Sequence, residues 1–600
     1  MGSKWRYYSV RICLGAIFLL LIGRVFWLQI LEGETFSQLA EKNRIRVVKI
    51  PAPRGNIYDR NGELLVTNRG SLSILYMLPP SSQPDMELLA QLSDILDLST
   101  DQLLQRIKEK RLPFEPAVLL SDAPLAVVAR LEEKLAGNED ILVRAEVTRE
   151  YLYGKTACHL LGYCGEVDQK MLSQSQYDDL TVGDIVGRAG VELTFDQYLR
   201  GINGYEFVAV NAKEERLGLF SSPEPIPPQP GNDLYLTIDL RLQKFVEEIL
   251  SRIPHPGAII VADARNAQIL ALASSPQYNP DIFQQGVSKK DWSALTSDPT
   301  YPLLNRGVNC SFPPGSAFKI VTATAGLEEG IVTPQDTMPI PCYGSFTFGD
   351  RVFHCWNPGG HGSLNISGGL TNSCNVFFFQ LGLKLGLDNL AKYAQKYMLG
   401  EPTGIELPGE ARGIIPDLAK LEEKYSKKMP PGEVLNDAIG QGHVLVSPIQ
   451  LLMVLTAIAN KGQVLRPTLL NQIYTPEGEI ISSAERTVRS DLKLSPITID
   501  TIVEGLVGVV DRFGENREHL VGKTGSAENP HGDTHAWFVG FAPQEDPRIS
   551  LVIFIENGGF GESYIKYAQQ IITFCREQGI PDSDWWNLEL ASITEIPPQQ

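Results

Sequence analysis

Two kinds of hydrophobic patterning divide the chain. Ile12 to Leu31, ICLGAIFLLLIGRVFWLQIL, is an apolar run interrupted by Arg24, and at about twenty residues it matches the thickness of a bilayer core. The rest is patterned at shorter intervals, as in domains that fold in water. Asp233-Leu-Tyr-Leu-Thr-Ile-Asp239 alternates as a strand, and Leu240 to Leu250 follows with helical spacing. Gly257 to Asp263 and Gln268 to Ala273 flank Arg265-Asn266-Ala267 and predict a hairpin, and Ala536 to Phe541 and Ile549 to Ile555 predict two more strands. Helical segments fill the interval. The pattern therefore predicts an α+β domain in which strands from both ends share one antiparallel sheet with helices against it. Upstream, Leu spacing between Ser81 and Leu135 predicts surface helices, and Asn61-Gly62 between apolar runs predicts a type I′ hairpin turn.

The flanks of the apolar run decide how it is used. Lys4, Arg6 and Arg11 precede it, and Glu32-Gly33-Glu34-Thr35 follows with no small-x-small cleavage site. An uncleaved anchor is expected rather than a signal peptide, with the N-terminus cytoplasmic and the bulk outside. Pro223, Pro225, Pro227, Pro228 and Pro230 mark a stiff linker. The expected organisation is a cytoplasmic tip and anchor (1–31), a mixed α/β pedestal without a nucleophile-base pair (32–222), the linker (223–232), a catalytic domain (233–585) and a tail (586–600). A length of 600 residues fits two to four domains. A formal charge of -18 excludes a phosphate-backbone partner, so no nucleic acid is expected. Eight cysteines are too sparse for a disulfide scaffold.

The sharpest candidate chemistry is Pro313-Pro-Gly-Ser316-Ala-Phe-Lys319. The prolines and glycine end a loop, so Ser316 should open a helix with Lys319 one turn on. A serine hydroxyl needs an adjacent base, and a desolvated lysine can serve. The spacing alone is weak evidence, since Ser490 and Lys493 repeat it by chance. Two further elements follow in order: Ser373-Cys374-Asn375, with Ser363-Leu364-Asn365 as a nearby decoy, and Lys523-Thr524-Gly525. This ordered trio resembles the signature of the penicillin-recognising serine acyltransferases. Arg54 to Leu65, Gly187 to Glu192, Leu199-Arg-Gly201, Gly231 to Asp239, Asn305-Arg306, Thr403 to Gly409 and Ile439 to Gly442 extend the resemblance to the class B penicillin-binding proteins.

That resemblance implies a transmembrane helix, a dimerisation-type pedestal and a transpeptidase domain built of an antiparallel sheet with helices plus an all-helical subregion. It implies that Ser316 attacks the penultimate D-alanine carbonyl of a peptidoglycan stem peptide, expels the terminal D-alanine and passes the acyl group to an amine on a neighbouring stem, with carboxypeptidase side activity. Lys319 would be the base, Ser373 with Lys523 the proton relay, and Asn375 the group orienting the substrate amide. Lys523 and Thr524 would hold the terminal carboxylate, Gly525 and Ser526 would line the substrate strand, and the N–H groups of Ser316 and Ser526 would form the oxyanion hole. Ser526 replaces the family's usual threonine. The implied partners are stem peptides, β-lactams as inhibitors, the membrane, a SEDS-type polymerase and elongation-complex proteins. The His361-Gly362, Ser-Cys-Asn and Cys355-Trp356 elements resemble the elongation branch, penicillin-binding protein 2, with the division-septum branch as the alternative. A β-lactam hydrolase or sensor and a non-catalytic scaffold are the readings from other classes.

Catalysis calls for no cofactor, but Cys342, Cys355, His361 and Cys374 form a candidate metal set. Three thiolates and an imidazole suit a structural Zn2+. A Cys342–Cys355 disulfide is the alternative, and His354 is a competing imidazole. Cys158 and Cys164 are a second candidate disulfide, while Cys310 and Cys575 are expected in the core. His531 and His535 read as loop polar groups, and Phe377-Phe378-Phe379 as a buried helix. The tail, with Trp585-Trp586, carries no assignable role.

Overall fold

The computed structural model describes residues 2–32, 45–77, 83–109, 116–138, 140–181, 183–210, 216–219, 224–283, 287, 289–417, 419, 423, 432–530 and 532–582. Pro223, His531, Trp585, Trp586 and the tail lie outside them. The chain forms two compact units, 1–53 with 70–147 and 201–231, and 54–69 with 148–200 and 232–600.

The first unit begins with the Gly2–Phe26 helix and a π turn, Trp27–Leu31. Within it, Arg11–Ile30 is long and apolar enough to cross a membrane. Strands Ile45–Ile50, Gly204–Val210 and Arg216–Leu219 form an antiparallel sheet. Between 70 and 147, helices Met86–Leu96, Thr100–Glu109 and Leu125–Leu135 bury Leu89, Leu92, Leu103, Ile107 and Leu131 in one cluster. Asp85 caps the first of these helices through the amides of Glu87 and Leu88. Ser99 and Gln102 exchange side-chain and backbone hydrogen bonds at the start of the second. Strand Ala117–Leu120 was not expected. Only four residues long, it pairs with Ile74–Tyr76.

The second unit is organised by a five-stranded antiparallel sheet in the order Ile269–Ser275, Gly257–Asp263, Ile549–Ile555, His535–Ala542, Val521–Ala527. Three of these strands are buried at every position, which explains why they read as apolar runs rather than alternations. One face is covered by Leu240–Ser251 and Ile565–Gln578 through Val246, Ile249, Ile571 and Ile572. A larger cluster takes in helices Lys319–Glu328, Asn375–Lys396 and Pro448–Ala459. Phe377, Phe378 and Phe379 are buried in the second of them.

Two local expectations are corrected. Asp233–Leu236 does not join the main sheet. It pairs antiparallel with Leu470–Tyr474 and parallel with Ile57–Tyr58. Asp239 stops the extended segment by accepting from the amides of Arg241 and Leu242, starting the next helix. The Asn61-Gly62 turn is not type I′, which needs positive φ at both central residues. Only Gly62 has it, at +82°; the Gly62 amide donates to Asp59 O and the Asp59 amide to Glu63 O. Asp59 replaces the missing geometry by accepting from the amides of Asn61 and Glu63.

Three distant segments of this unit meet at a buried ion cluster. Arg54 donates to Asp196 Oδ1 and Glu192 Oε2, both at 2.8 Å, and Arg149 donates to Glu192 Oε1 and Gly55 O, both at 2.7 Å. Burial works to raise the Glu192 pKa, but the Arg149 and Arg54 guanidiniums outweigh it and hold it below the ordinary glutamate value.

Candidate functional site

Ser316 sits in a 3-10 turn, Gly315–Phe318, that runs directly into the Lys319–Glu328 helix, so Lys319 follows it by one turn. The turn is held on three sides. Phe312 and Val446 exchange two backbone hydrogen bonds of 2.9 Å, the Gly315 amide donates to Gly440 O at 2.9 Å, and Trp537 Nε1 donates to Pro313 O at 2.9 Å. Glycine is required at two of these places. Gly315 has φ +54°, and a Cβ on Gly440 would lie 2.3 Å from Gly315 O. Gly440 belongs to the Ile439–Gly442 stretch, and its local role is this close approach.

Ser373 lies in the link between helices Ile366–Thr371 and Asn375–Lys396 with φ +49°, a left-handed conformation that is strained for a serine. The strain turns neighbouring side chains in different directions. Ser373 and Asn375 meet Lys319, whose Nζ donates to Ser373 O at 2.8 Å and Asn375 Oδ1 at 2.7 Å and lies 3.3 Å from Ser373 Oγ. Lys523, on the Val521–Ala527 strand, donates to Ser373 Oγ and to Thr524 O, each at 3.1 Å. Ser373 Oγ therefore bridges two lysines. Both are fully buried, and burial lowers both pKa values: Lys319 to about 7, and Lys523 well below its ordinary value with help from the Lys319 and Arg512 charges.

The remaining expected residues fall nearby. Asn375 Nδ2 donates to His354 O at 3.3 Å, and Thr524 is half-buried on the same strand as Lys523. The Ser526 hydroxyl accepts from the Gly561 amide at 3.2 Å. Ser316 is half-buried, and its hydroxyl makes no hydrogen bond among the described residues. His535 is buried at the start of its strand, where Nδ1 accepts from the Asn557 amide, and burial lowers its pKa. That is a structural position. The decoys are also accounted for: Asn365 caps a helix through the Gly368 amide, and Lys493 lies at a left-handed turn.

Cys374 is fully buried, and its sulfur joins those of Cys342 and Cys355 and a His361 ring nitrogen within 4.8 Å of one another. His361 Nδ1 is 3.7 Å from Cys342 Sγ and 3.5 Å from Cys355 Sγ. A tetrahedral zinc with ordinary Zn–S and Zn–N bonds sets its sulfur-nitrogen edges at about 3.6 Å, so this donor set fits the ion. A hydrogen bond from the Cys374 thiol lowers the Cys355 pKa from its ordinary value against burial. The excursion bearing Cys342, Cys355 and His361 is tied to the catalytic link, because Trp356 Nε1 donates to Asn372 O at 3.0 Å.

All eight cysteines are free of disulfides, so neither the alternative Cys342–Cys355 bridge nor the candidate Cys158–Cys164 bridge is formed. Cys158 packs with Tyr278 and Phe283, whereas Cys164 feels the Arg54 and Glu192 charges. Cys575 is buried as expected, but Cys310 is only half-buried, with its thiol directed at Arg306 O. Arg512, whose charge acts on Lys523, carried no sequence signal beyond a cation closing the Pro496–Asp511 helix before the Lys-Thr-Gly strand.

Comparison with known proteins matches residues 257–573 to the penicillin-binding protein transpeptidase domain and 49–236 to the penicillin-binding protein dimerisation domain. The chain is similar to the peptidoglycan D,D-transpeptidase MrdA of Acinetobacter baumannii, 31% identical over 94% of this chain and 86% of that protein. The Haemophilus influenzae MrdA is 28% identical over 96% and 92%. A complex of penicillin-binding protein 2 and MreC from Helicobacter pylori superimposes with a TM-score of 0.79 at 27% identity, covering 89% of this chain and 99% of that one. With the trio gathered at Ser373 and both domains matched in order, the chain belongs to the penicillin-binding transpeptidases, in their class B, penicillin-binding protein 2 branch.

Proposed function

We propose that the chain is a membrane-anchored peptidoglycan D,D-transpeptidase acting through a Ser316 acyl-enzyme during cell elongation. The bridge from Lys319 through Ser373 Oγ to Lys523 carries this reading. Near neutrality much of Lys319 is uncharged. Ser373 O and Asn375 Oδ1 accept its two N–H groups, leaving the lone pair to take the Ser316 proton. The alkoxide attacks the penultimate D-alanine carbonyl, and the oxyanion meets the N–H groups of Ser316 and Ser526, each worth about 10²–10³-fold in rate. Ser373, between the lysines, passes its proton to the departing D-alanine amine and regains one from Lys319, which returns to its neutral form. Lys523 and Thr524 hold its carboxylate, Gly525 and Ser526 flank the substrate strand, and Asn375 turns to the substrate amide once Lys319 is engaged. β-Lactams would acylate Ser316 by the same steps.

Arg11–Ile30 is the anchor, with a cytoplasmic N-terminus and a periplasmic or extracytoplasmic bulk. The pedestal (32–222), linker (223–232) and transpeptidase domain (233–585) would divide the work between partners and chemistry. The partners are an MreC-like protein, as in the Helicobacter pylori complex, and a SEDS-type polymerase. Cys342, Cys355, His361 and Cys374 would hold a structural zinc. Its chemistry is to clamp the Cys342–Gly362 excursion beside Ser373, with no step of catalysis at the metal.

The test is release of D-alanine from a synthetic peptide ending in D-Ala-D-Ala by the full chain in detergent. The base must be neutral, so the rate should rise about tenfold per pH unit below about 7 and level off above it. No release, or a rate flat from about pH 5.5 to 8, sinks the reading. Purified protein should also carry about one zinc per chain, lost with Cys374→Ser or His361→Ala; metal-free wild type would refute the zinc site.

A further inference from the structure

Arg512 caps the edge of the catalytic link. It follows the Pro496–Asp511 helix that leads to the Lys523 strand, and its Nη1 donates to Thr371 O at 3.1 Å, two residues before Ser373. Its guanidinium lies over two exposed rings, 5.8 Å from the centre of Trp356 and 5.9 Å from that of Phe513. The Trp356 indole is itself fixed to Asn372 O. Arg512 is exposed and pairs with no carboxylate among the described residues. Aromatic faces and one carbonyl hold it in place without neutralising it. Its charge reaches Lys523 strongly enough to help depress that lysine. The exposed Arg512 guanidinium therefore acts on the same Lys523 amine that donates to Ser373 Oγ, and a bound carboxylate would relieve the repulsion between the two groups.

We infer that Arg512 is a specificity-determining residue that, with Lys523 and Thr524, holds the carboxylate of the acceptor, an amino acid whose attacking amine and carboxylate share one carbon. The inference rests on the transpeptidase reading. In acyl transfer the acceptor nitrogen bonds to the acyl carbon, the bond from that carbon to Ser316 Oγ breaks, and the amine proton ends on Ser316 Oγ. This step is the reverse of D-alanine expulsion with a different amine. The subsite that held the leaving alanine's carboxylate therefore receives the acceptor's, and an acceptor without one lacks its anchor.

The test uses the full chain, a diacetyl-lysyl-D-Ala-D-Ala donor, and D-alanine or D-alanine amide as competing acceptors, scoring transfer against hydrolysis of the same acyl-enzyme so that donor effects cancel. Wild type should favour isotopically labelled D-alanine over the amide by about tenfold or more, the worth of a charge-assisted contact. Arg512→Gln should lose at least about tenfold with D-alanine and less than about twofold with the amide, and Arg512→Lys should fall between. Equal losses with both acceptors would assign Arg512 a merely structural role and overturn the inference. So would no loss with either, or a wild type indifferent to the carboxylate. If wild type forms no acyl-enzyme with the donor, the transpeptidase reading falls and takes this inference with it.

Discussion

Replacing Ser316 with alanine is expected to abolish covalent labelling by a fluorescent penicillin and to lower D-alanine release by about 10⁴-fold or more, the scale on which nucleophile removal acts in serine acyl-transfer enzymes. The magnitude follows from chemistry. Without Oγ no acyl-enzyme forms, and a buried neutral lysine, an oxyanion pocket and a carboxylate subsite retain only the rate obtained from binding and polarisation. The alanine variant should keep its fold. The turn is held by backbone bonds to Gly440 and by Trp537 Nε1 on Pro313 O, and the Ser316 hydroxyl contributes no hydrogen bond among the described residues. A variant that labels like wild type would place the nucleophile elsewhere. A variant that fails to label because it has unfolded would be recognised by its melting behaviour.

The trio was legible because each part is a short local pattern: a loop-breaking Pro-Pro-Gly before Ser316, the Ser-Cys-Asn triplet at Ser373 and Lys-Thr-Gly between apolar residues at Lys523. Decoys such as Ser363-Leu-Asn365 carry the same letters, and only order and context separated them. What was hidden depended on non-local geometry. No sequence pattern announces φ +49° at Ser373, yet that conformation lets Ser373 and Asn375 face Lys319 while Cys374 faces the other three metal-set residues. The cysteines show the same limit. Cys158 and Cys164 are close in sequence but pack among different neighbours, whereas Cys342 and Cys374 are distant and meet. Asp233–Leu236 alternates as a strand should, but alternation does not say which sheet accepts it. Its partners are Ile57–Tyr58 and Leu470–Tyr474, far away on either side in sequence. Arg512 had no motif; its meaning comes from the rings beside it and the carboxylate it lacks.

Glu192→Ala should destabilise the second unit by about 3–5 kcal/mol, because removing one partner of a buried ion cluster strands the others without water. The two arginines do not suffer equally. Arg54 keeps Asp196 at 2.8 Å. Among the described residues Arg149 keeps only neutral acceptors, Gly55 O and Asn68 Oδ1, and its Nη2 has no partner there. The loss therefore falls mainly on Arg149, and it loosens 148–200 from the Arg54–Arg69 segment of the same unit. A lower midpoint in chemical denaturation measures it. Arg517→Ala, which breaks the exposed pair with Glu515, should move that midpoint far less. The pH dependence has a fixed sign. The folded Glu192 pKa lies below its ordinary value, so its stabilisation is present above the ordinary glutamate range and is lost as pH falls through the depressed value. The gap between wild type and the isosteric Glu192→Gln should narrow on acidification. A gap that is constant or widens would mean that the cluster is held by shape and hydrogen bonding rather than by the charge of Glu192.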